Sequence, residues 1–166
     1  MTDNPAEAEA RATYQRYVAT RAQIMAGELP WSALNDYFTD DAVFMDPAWG
    51  RTQGKEELQV FFDASMRGLD DWEFPEEFTM VEGHRVVSFW WNRLPGSRPD
   101  GSPYQAPGVS ILHYAGGGRF SYELDLLNMA ELGEYLTESG WTPSPEMNFP
   151  PANPDRNPTP PDRDGP

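Results

Sequence analysis

The sequence contains no cysteine, and this absence excludes disulfide bonds, thiolate metal sites and cysteine nucleophiles. Basic residues are also few, because 12 lysines and arginines stand against 27 acidic residues and give a formal net charge of −15. Nucleic-acid binding depends on clustered Lys and Arg, so this balance disfavours a nucleic-acid partner. The same charge disfavours anionic small molecules, unless a local arginine overrides it.

Long apolar runs are missing as well, since no run approaches the ~20 residues that a membrane span requires. The first ten residues, MTDNPAEAEA, lack the basic and apolar segments of a signal peptide. We therefore expect a cytoplasmic protein without a membrane partner. His84 and His113 are the only histidines. A two-histidine metal site would also need facing strands and a carboxylate, so we expect no metal and no cofactor.

Aromatic residues, by contrast, are abundant: six Trp, seven Tyr and nine Phe favour a packed core. A length of 166 residues suits one domain. We place this domain at residues 1–142. Residues 143–166 hold nine of the 17 prolines and predict a flexible, Pro-rich tail without a core of its own.

The order of predicted elements is helices first and strands later. Asn4 and Pro5 favour the start of a helix that Gly27 and Pro30 end. Further helices are predicted at residues 31–38, 55–67 and 128–139, and strands at 42–46, 72–81, 85–94, 104–114 and 119–127. This order predicts an α+β fold in which helices pack on one face of a curved antiparallel sheet.

Four motifs occur in the order known from one superfamily: QRYVA (15–19), YFTDDAVFMDPAWG (37–50), GKEELQVFF (54–62) and HYAGGGRFSYELDLLNMAEL (113–132). Over about residues 8–140, the chain resembles the nuclear transport factor 2-like superfamily, in its SnoaL-like and ketosteroid isomerase-like branch. The resemblance implies a cone-shaped, strongly curved sheet on N-terminal helices, an apolar pocket and a homodimer. Its members include isomerases, cyclases, dehydratases, epoxide hydrolases and non-catalytic binders, so the fold alone does not define the reaction.

Asp46 is the residue to which the resemblance assigns the general base, which moves a proton next to a carbonyl. Alternation along the strand puts Phe44 and Asp46 on one face, so a Phe44 side chain in the cone would bring the carboxylate with it. Desolvation there would raise the pKa of Asp46 toward a range useful for proton transfer. The alternative is that Asp46 caps a turn at Pro47, because Asp before Pro favours turns.

Tyr17 matches, through QRYVA, the tyrosine that donates a hydrogen bond to the oxyanion in the isomerases. The alternative is a core tyrosine on the helix stripe that also holds Tyr14 and Ile24. The resemblance expects a second donor, a protonated aspartic acid, at the position of Ser110, and serine is the weaker donor. This departure argues against steroid isomerisation itself.

Asp125 matches an acid of the last strand that performs acid/base work in SnoaL-like cyclases and in epoxide hydrolases. The hydrolases' preceding arginine is Leu124 here, and residues 89–91 lack their Arg-x-Asp, which disfavours epoxide hydrolysis. Simple alternation would solvate Glu123 and Asp125, whereas the resemblance turns both toward the pocket. The opposite, apolar face comprises Phe120, Tyr122, Leu124 and Leu126. If these two acids share a cavity with Asp46, one of the three should hold a proton.

The expected substrate contacts are Phe44, Trp49, Phe62, Trp90, Ser110 and Glu123. The sequence thus predicts a cofactor-independent acid/base enzyme for a hydrophobic carbonyl compound of steroid or polyketide type. Asp46 would be its base, Tyr17 its electrophilic donor and Asp125 a second acid/base group. The alternative is a non-catalytic protein of the same fold, which either binds a small molecule in the cone or is a dimeric interaction protein.

Overall fold

The computed structural model describes residues 4–161. Its helices are α1 (Pro5–Met25), a 3₁₀ helix (Trp31–Tyr37), α2 (Lys55–Ser65) and α3 (Met129–Ser139). As predicted, Asn4 caps α1, and its side chain accepts a hydrogen bond from the N–H of Ala6. No helix within residues 4–161 is long and apolar enough to cross a membrane.

Six strands form one curved, open sheet in the order β2-β1-β6-β5-β4-β3. They are β1 (Phe38–Asp46), β2 (Gly50–Gln53), β3 (Glu76–Glu82), β4 (Arg85–Ser97), β5 (Pro103–Gly116) and β6 (Arg119–Leu127). The predicted α+β class and the antiparallel run from β3 to β6 are confirmed. Sequence patterns missed two features, the short strand β2 and the parallel pairing of β1 with β6.

Two apolar clusters fill the space between the sheet and the helices. The first includes Phe38, Leu58 and Phe120, and it packs under α1 and α2. The second includes Trp72 and Leu132, and it packs under α3. The predicted strand at residues 72–81 begins only at Glu76, because the proline at position 75 has no N–H for a ladder hydrogen bond.

A bulge at Ser121 changes which residues of β6 face the helices. Tyr122 pairs with His113, whereas Phe120 pairs with Tyr114, so Ser121 is an extra residue between the two pairs. Phe120 therefore lies on the helix side together with Glu123, and Tyr122 lies on the outer face. The prediction that Phe120 and Tyr122 share one face by simple alternation is therefore wrong.

The Pro-rich segment has no helix or strand among its described residues, 143–161. It lies against the body, where the backbone N–H of Arg51 donates to the carbonyl of Asp155 at 2.7 Å and the Asn148 side chain donates to the carbonyl of Ala64 at 3.1 Å. The flexibility of this tail stays a prediction, as does the boundary at residue 142.

Candidate active site

A cavity of about 460 Å³ opens between the inner face of the sheet, the helices and the tail. Its aromatic lining residues are Trp31, Phe44, Trp49, Phe61, Phe62, Trp72, Phe74, Trp90, Trp141 and Phe149. Its hydrogen-bonding and charged residues are Tyr17, Arg21, Asp46, Ser65, Asn92, Ser110, Glu123 and Asp125. Every candidate residue from the sequence thus lines one cavity. Flat aromatic walls with a few polar groups suit an apolar ring compound that carries oxygen atoms.

Tyr17 and Glu123 form a buried pair at this cavity. Helix α1 presents the Tyr17 phenol to β6, where its OH donates to Glu123 Oε2 at 3.1 Å. Burial raises the pKa of Glu123 well above its usual range, and the nearby charge of Asp125 raises it further. Burial also raises the pKa of the Tyr17 phenol. Burial therefore favours the neutral form of both groups.

Asp125 is held by a chain of hydrogen bonds that crosses three strands. Trp90 Nε1 donates to Ser110 Oγ at 2.9 Å, and Ser110 Oγ donates to Asp125 Oδ1 at 2.5 Å. Gly108, opposite Trp90 on β5, makes room for the indole, since an added Cβ would lie 2.7 Å from the ring. Burial raises the pKa of Asp125 to about 7; the Ser110 bond opposes this shift, and the charge of Asp46 adds to it.

Asp46 both caps a turn and lines the cavity, so the two alternatives from the sequence hold together. Its Oδ1 accepts the backbone N–H groups of Ala48 at 2.7 Å and of Trp49 at 2.8 Å. Because both bonds use Oδ1, the turn does not occupy Oδ2. Burial raises the pKa of Asp46, although these two hydrogen bonds act in the opposite direction.

Arg21 is a lining residue that the sequence reasoning missed. It is the only lysine or arginine among the described residues that line the cavity. Its Nη2 lies 4.0 Å from Glu76 Oε2, the oxygen that also accepts from Tyr14 at 2.6 Å and from Ser88 at 2.7 Å. The signal was available, because Arg21 follows Tyr17 by four positions and so shares its helix face.

Asn92 and Trp72 add a second polar locus to the cavity wall. The Asn92 Oδ1 and the Trp72 Nε1 are buried and have no hydrogen-bond partner within the described part of the chain. Both residues line the cavity. Buried polar atoms usually have partners, so a partner from outside the chain is expected here.

The fold is that of the nuclear transport factor 2-like superfamily. The sequence profile of the SnoaL-like domain matches residues 14–122, and the chain belongs to this family. No curated protein sequence matches it significantly. Among the residues that the structure describes, no group of three or more acids and histidines is arranged to hold a metal ion.

Solved structures share the fold at low sequence identity. A candidate SnoaL-like polyketide cyclase from Jannaschia sp. CCS1 superposes with a TM-score of 0.64 at 17% identity, covering 82% of this chain and 97% of its own. A steroid delta-isomerase from Pseudomonas aeruginosa gives 0.55 at 22% identity, covering 81% and 93%. An M. tuberculosis epoxide hydrolase of the LEH-like type gives 0.58 at 12% identity, covering 80% and 92%. At these identities the similarity shows the fold alone.

Proposed function

We propose that the protein is a cofactor-independent acid/base enzyme of isomerase, cyclase or dehydratase type. Its substrate would be a hydrophobic carbonyl compound of steroid or polyketide type. One observation carries the proposal: Asp46, Asp125 and Tyr17 line the same aromatic-walled cavity, in which burial raises the pKa of Asp125 to about 7. A carboxyl group that changes its charge near neutral pH is suited to moving protons in the cell.

Asp46 is the proposed base. Its Oδ2 removes a proton from the carbon next to the substrate carbonyl; the electron pair of that C–H bond forms a C=C bond, and the π pair of the carbonyl moves to its oxygen to give an enolate. In a substrate with a conjugated C=C bond, Asp46 then returns the proton to another carbon of the enolate, so no proton is lost. Because the turn holds Asp46 through Oδ1, the carboxylate keeps its position while Oδ2 gains and loses the proton.

The protonated form of Asp125 and the Tyr17 phenol are the proposed donors to the enolate oxygen. The phenol has one hydrogen, so it must turn that hydrogen from Glu123 Oε2 to the bound substrate. Ser110 gives its only hydroxyl hydrogen to Asp125 Oδ1, so the acid proton of Asp125 is placed on Oδ2. The carboxylic acid that the resemblance expects at position 110 is thus supplied from the neighbouring strand. Arg21 adds a positive charge at the same cavity, which favours the developing negative oxygen.

Hydrogen–deuterium exchange at the carbon next to a ketone carbonyl tests the proposed reaction. The protein is incubated in D₂O with 2-tetralone and a panel of steroid and polyketide ketones, and NMR follows loss of the proton signal at the carbon next to the carbonyl. We expect catalysed exchange for at least one ketone and a loss of about 100-fold or more in Asp46→Asn. Equal exchange in the variant would exclude Asp46 as the base.

The second candidate is a non-catalytic binding protein. It is favoured by the two turn hydrogen bonds that Asp46 accepts, because a structural cap explains the carboxylate without catalysis. In that case ring ketones and phenols bind, no ketone of the panel exchanges, and Asp46→Asn leaves their affinity unchanged.

A further inference from the structure

We propose that residues 143–161 form a wall of the ligand cavity and hold the Asp46 turn in place, so that this segment determines which ligands fit. The segment lies outside the family match, which ends at residue 122. The inference concerns binding, and it rests on the proposed function only in taking this cavity as the ligand site.

The first half of the segment contributes side chains to the cavity. Pro143, Met147, Phe149 and Pro150 all line it, and all four are apolar. The backbone at Met147 packs closely on Gly68, where an added Cβ would lie 3.0 Å from the Met147 Cβ. Phe149 lines the cavity while 68% exposed, which places its ring at the mouth.

The second half is fixed to β2. Arg51 donates its backbone N–H to the carbonyl of Asp155 at 2.7 Å. Its Nη1 donates to the carbonyls of Asn157 at 3.1 Å and Thr159 at 2.5 Å. Gly50 allows this approach, since an added Cβ would lie 2.7 Å from the Asp155 carbonyl oxygen. Three hydrogen bonds from Arg51 and the close approach at Gly50 therefore define the path of the segment along β2.

Arg156 connects the segment to the turn that follows Asp46. Its Nε donates to the carbonyl of Pro47 at 2.9 Å. On the outer face of the sheet, the Tyr122 hydroxyl donates to the carbonyl of Pro158. The turn thus lies between the cavity and residues 143–161. This segment is hydrogen-bonded to the turn through Arg156 and to the neighbouring strands through Arg51 and Tyr122. These bonds restrict the position of the Asp46 carboxylate.

This arrangement favours ligands with an extended apolar body. The segment presents no charged side chain to the cavity, so the part of a ligand that it covers must be apolar. A compound with several fused rings reaches the mouth and contacts Phe149, whereas a two-ring compound makes fewer contacts there. We therefore expect the segment to favour ligands that have more fused rings.

Binding of two fluorescent phenols to the full-length protein tests this inference. We expect Phe149→Ser to weaken binding of four-ring 1-hydroxypyrene by about tenfold and to affect two-ring 2-naphthol less. The control, Val60→Ser, removes an apolar side chain of α2 that is 69% exposed and does not line the cavity, and it should leave both affinities unchanged. Equal affinity of Phe149→Ser and the unmodified protein for 1-hydroxypyrene overturns the inference.

A second measurement needs no ligand. The Arg51 amide donates to Asp155, so its hydrogen exchange should be slow in the unmodified protein and faster in Arg156→Ala, with exposed Arg119→Ala as the control. Unprotected exchange of Arg51 in the unmodified protein shows a flexible tail and overturns the inference. If no ketone exchanges but Phe149→Ser still weakens binding of 1-hydroxypyrene, only the proposed reaction is overturned.

We also infer, from an independent observation, that Asn92 and Trp72 bind a second oxygen group of the ligand, in the form of a hydroxyl. A hydroxyl both donates and accepts, so it complements the unpartnered Asn92 Oδ1 acceptor and the unpartnered Trp72 Nε1 donor. Asn92 pairs with Ala106, which belongs to the same apolar cluster as Trp72, and this places the two side chains in one region of the wall. The substrate class is then a carbonyl compound that also carries a hydroxyl.

The affinities of 2-naphthol and 2,6-dihydroxynaphthalene test the hydroxyl site. We expect the second hydroxyl to strengthen binding to the unmodified protein by about fivefold to tenfold, and both Asn92→Leu and Trp72→Phe to reduce this gain. Asn128→Leu, which changes an asparagine outside the cavity, should retain it. Equal affinity of the two phenols for the unmodified protein means that water satisfies these atoms, and it overturns the inference.

Discussion

Ser110 and Asp125 face each other across β5 and β6, and the Ser110 hydroxyl donates to Asp125 Oδ1 at 2.5 Å. The sequence marks Ser110 as the place where an expected acid is missing. The structure places an acid directly beside it, with a pKa raised to about 7 by burial. In the proposed mechanism, this cross-strand pair takes the place of the single acid that the resemblance expects at position 110.

Asp46 offers a test that separates its turn cap from its proposed catalysis. Asp46→Asn keeps an oxygen that can accept from Ala48 and Trp49, so we expect the free energy of unfolding to change by less than about 0.5 kcal/mol. Asp46→Ala removes the cap and should lower it by about 1–2 kcal/mol. Urea unfolding measures both. Equal destabilisation by the two variants would contradict the cap.

Asp125 should make the free energy of unfolding depend on pH. Its pKa rises from 3.8 to about 7 on folding, so the native protein holds a proton that the unfolded chain releases. The stability from Asp125 is complete below pH 3.8 and is lost as pH rises to about 7. We expect a loss on the order of 4 kcal/mol. Urea unfolding across this pH range should show a shallower dependence in Asp125→Asn; identical slopes would contradict this origin.

Tyr17 can be compared with a neighbouring tyrosine. Tyr17→Phe leaves the buried Glu123 Oε2 without its donor, so we expect a loss of about 1–3 kcal/mol in unfolding free energy and about 100-fold in ketone exchange. The Tyr37 hydroxyl bonds to Thr20 Oγ1 at 2.8 Å, and Tyr37 does not line the cavity. Tyr37→Phe should therefore keep the exchange rate. Retained exchange in Tyr17→Phe would remove the phenol from the mechanism.

Gly108 should be intolerant of a methyl group because of Trp90. Gly108→Ala places a Cβ 2.7 Å from the indole, which must shift and lose its hydrogen bond to Ser110. We expect unfolding free energy to fall by about 1–3 kcal/mol. A double-mutant cycle with Trp90→Phe measures the coupling, and the alanine should cost less in that background. An equal cost in both backgrounds would locate the strain elsewhere.

The homodimer stays a prediction, and the outer face of the sheet is its expected interface. Met80 and Leu126 are 59% and 49% exposed there, and large exposed apolar residues favour association. Sedimentation equilibrium should show a dimer that Met80→Asp weakens. Val60→Asp, at a residue of α2 that is 69% exposed, is the control. A monomer at micromolar concentrations, or equal effects of the two variants, would count against this interface.

Much of the site could be predicted because four local motifs resemble those of a known family, which implies roles for Asp46, Tyr17 and Asp125. Asp46 follows a short apolar strand and precedes a proline, and Tyr17 lies on a helix with a strong start signal. Arg21 was missed although its spacing from Tyr17 is helical, because a charged residue on a partly polar helix is usually solvated. The unpartnered atoms of Asn92 and Trp72 could not be predicted, since a lack of partners is a property of the whole packing.

The sequence by itself determined the α+β class and the order of the longer helices and strands, and its resemblance to a known family implied which groups could exchange protons. The class and the order depend on periodicity, capping and turn residues, which act over a few positions. Only the tertiary structure decided that a bulge at Ser121 turns Glu123 and Asp125 toward the cavity, and that the Pro-rich segment crosses the Asp46 turn. Strand register and tail path depend on contacts between distant residues, and burial by those contacts sets the pKa of Asp125.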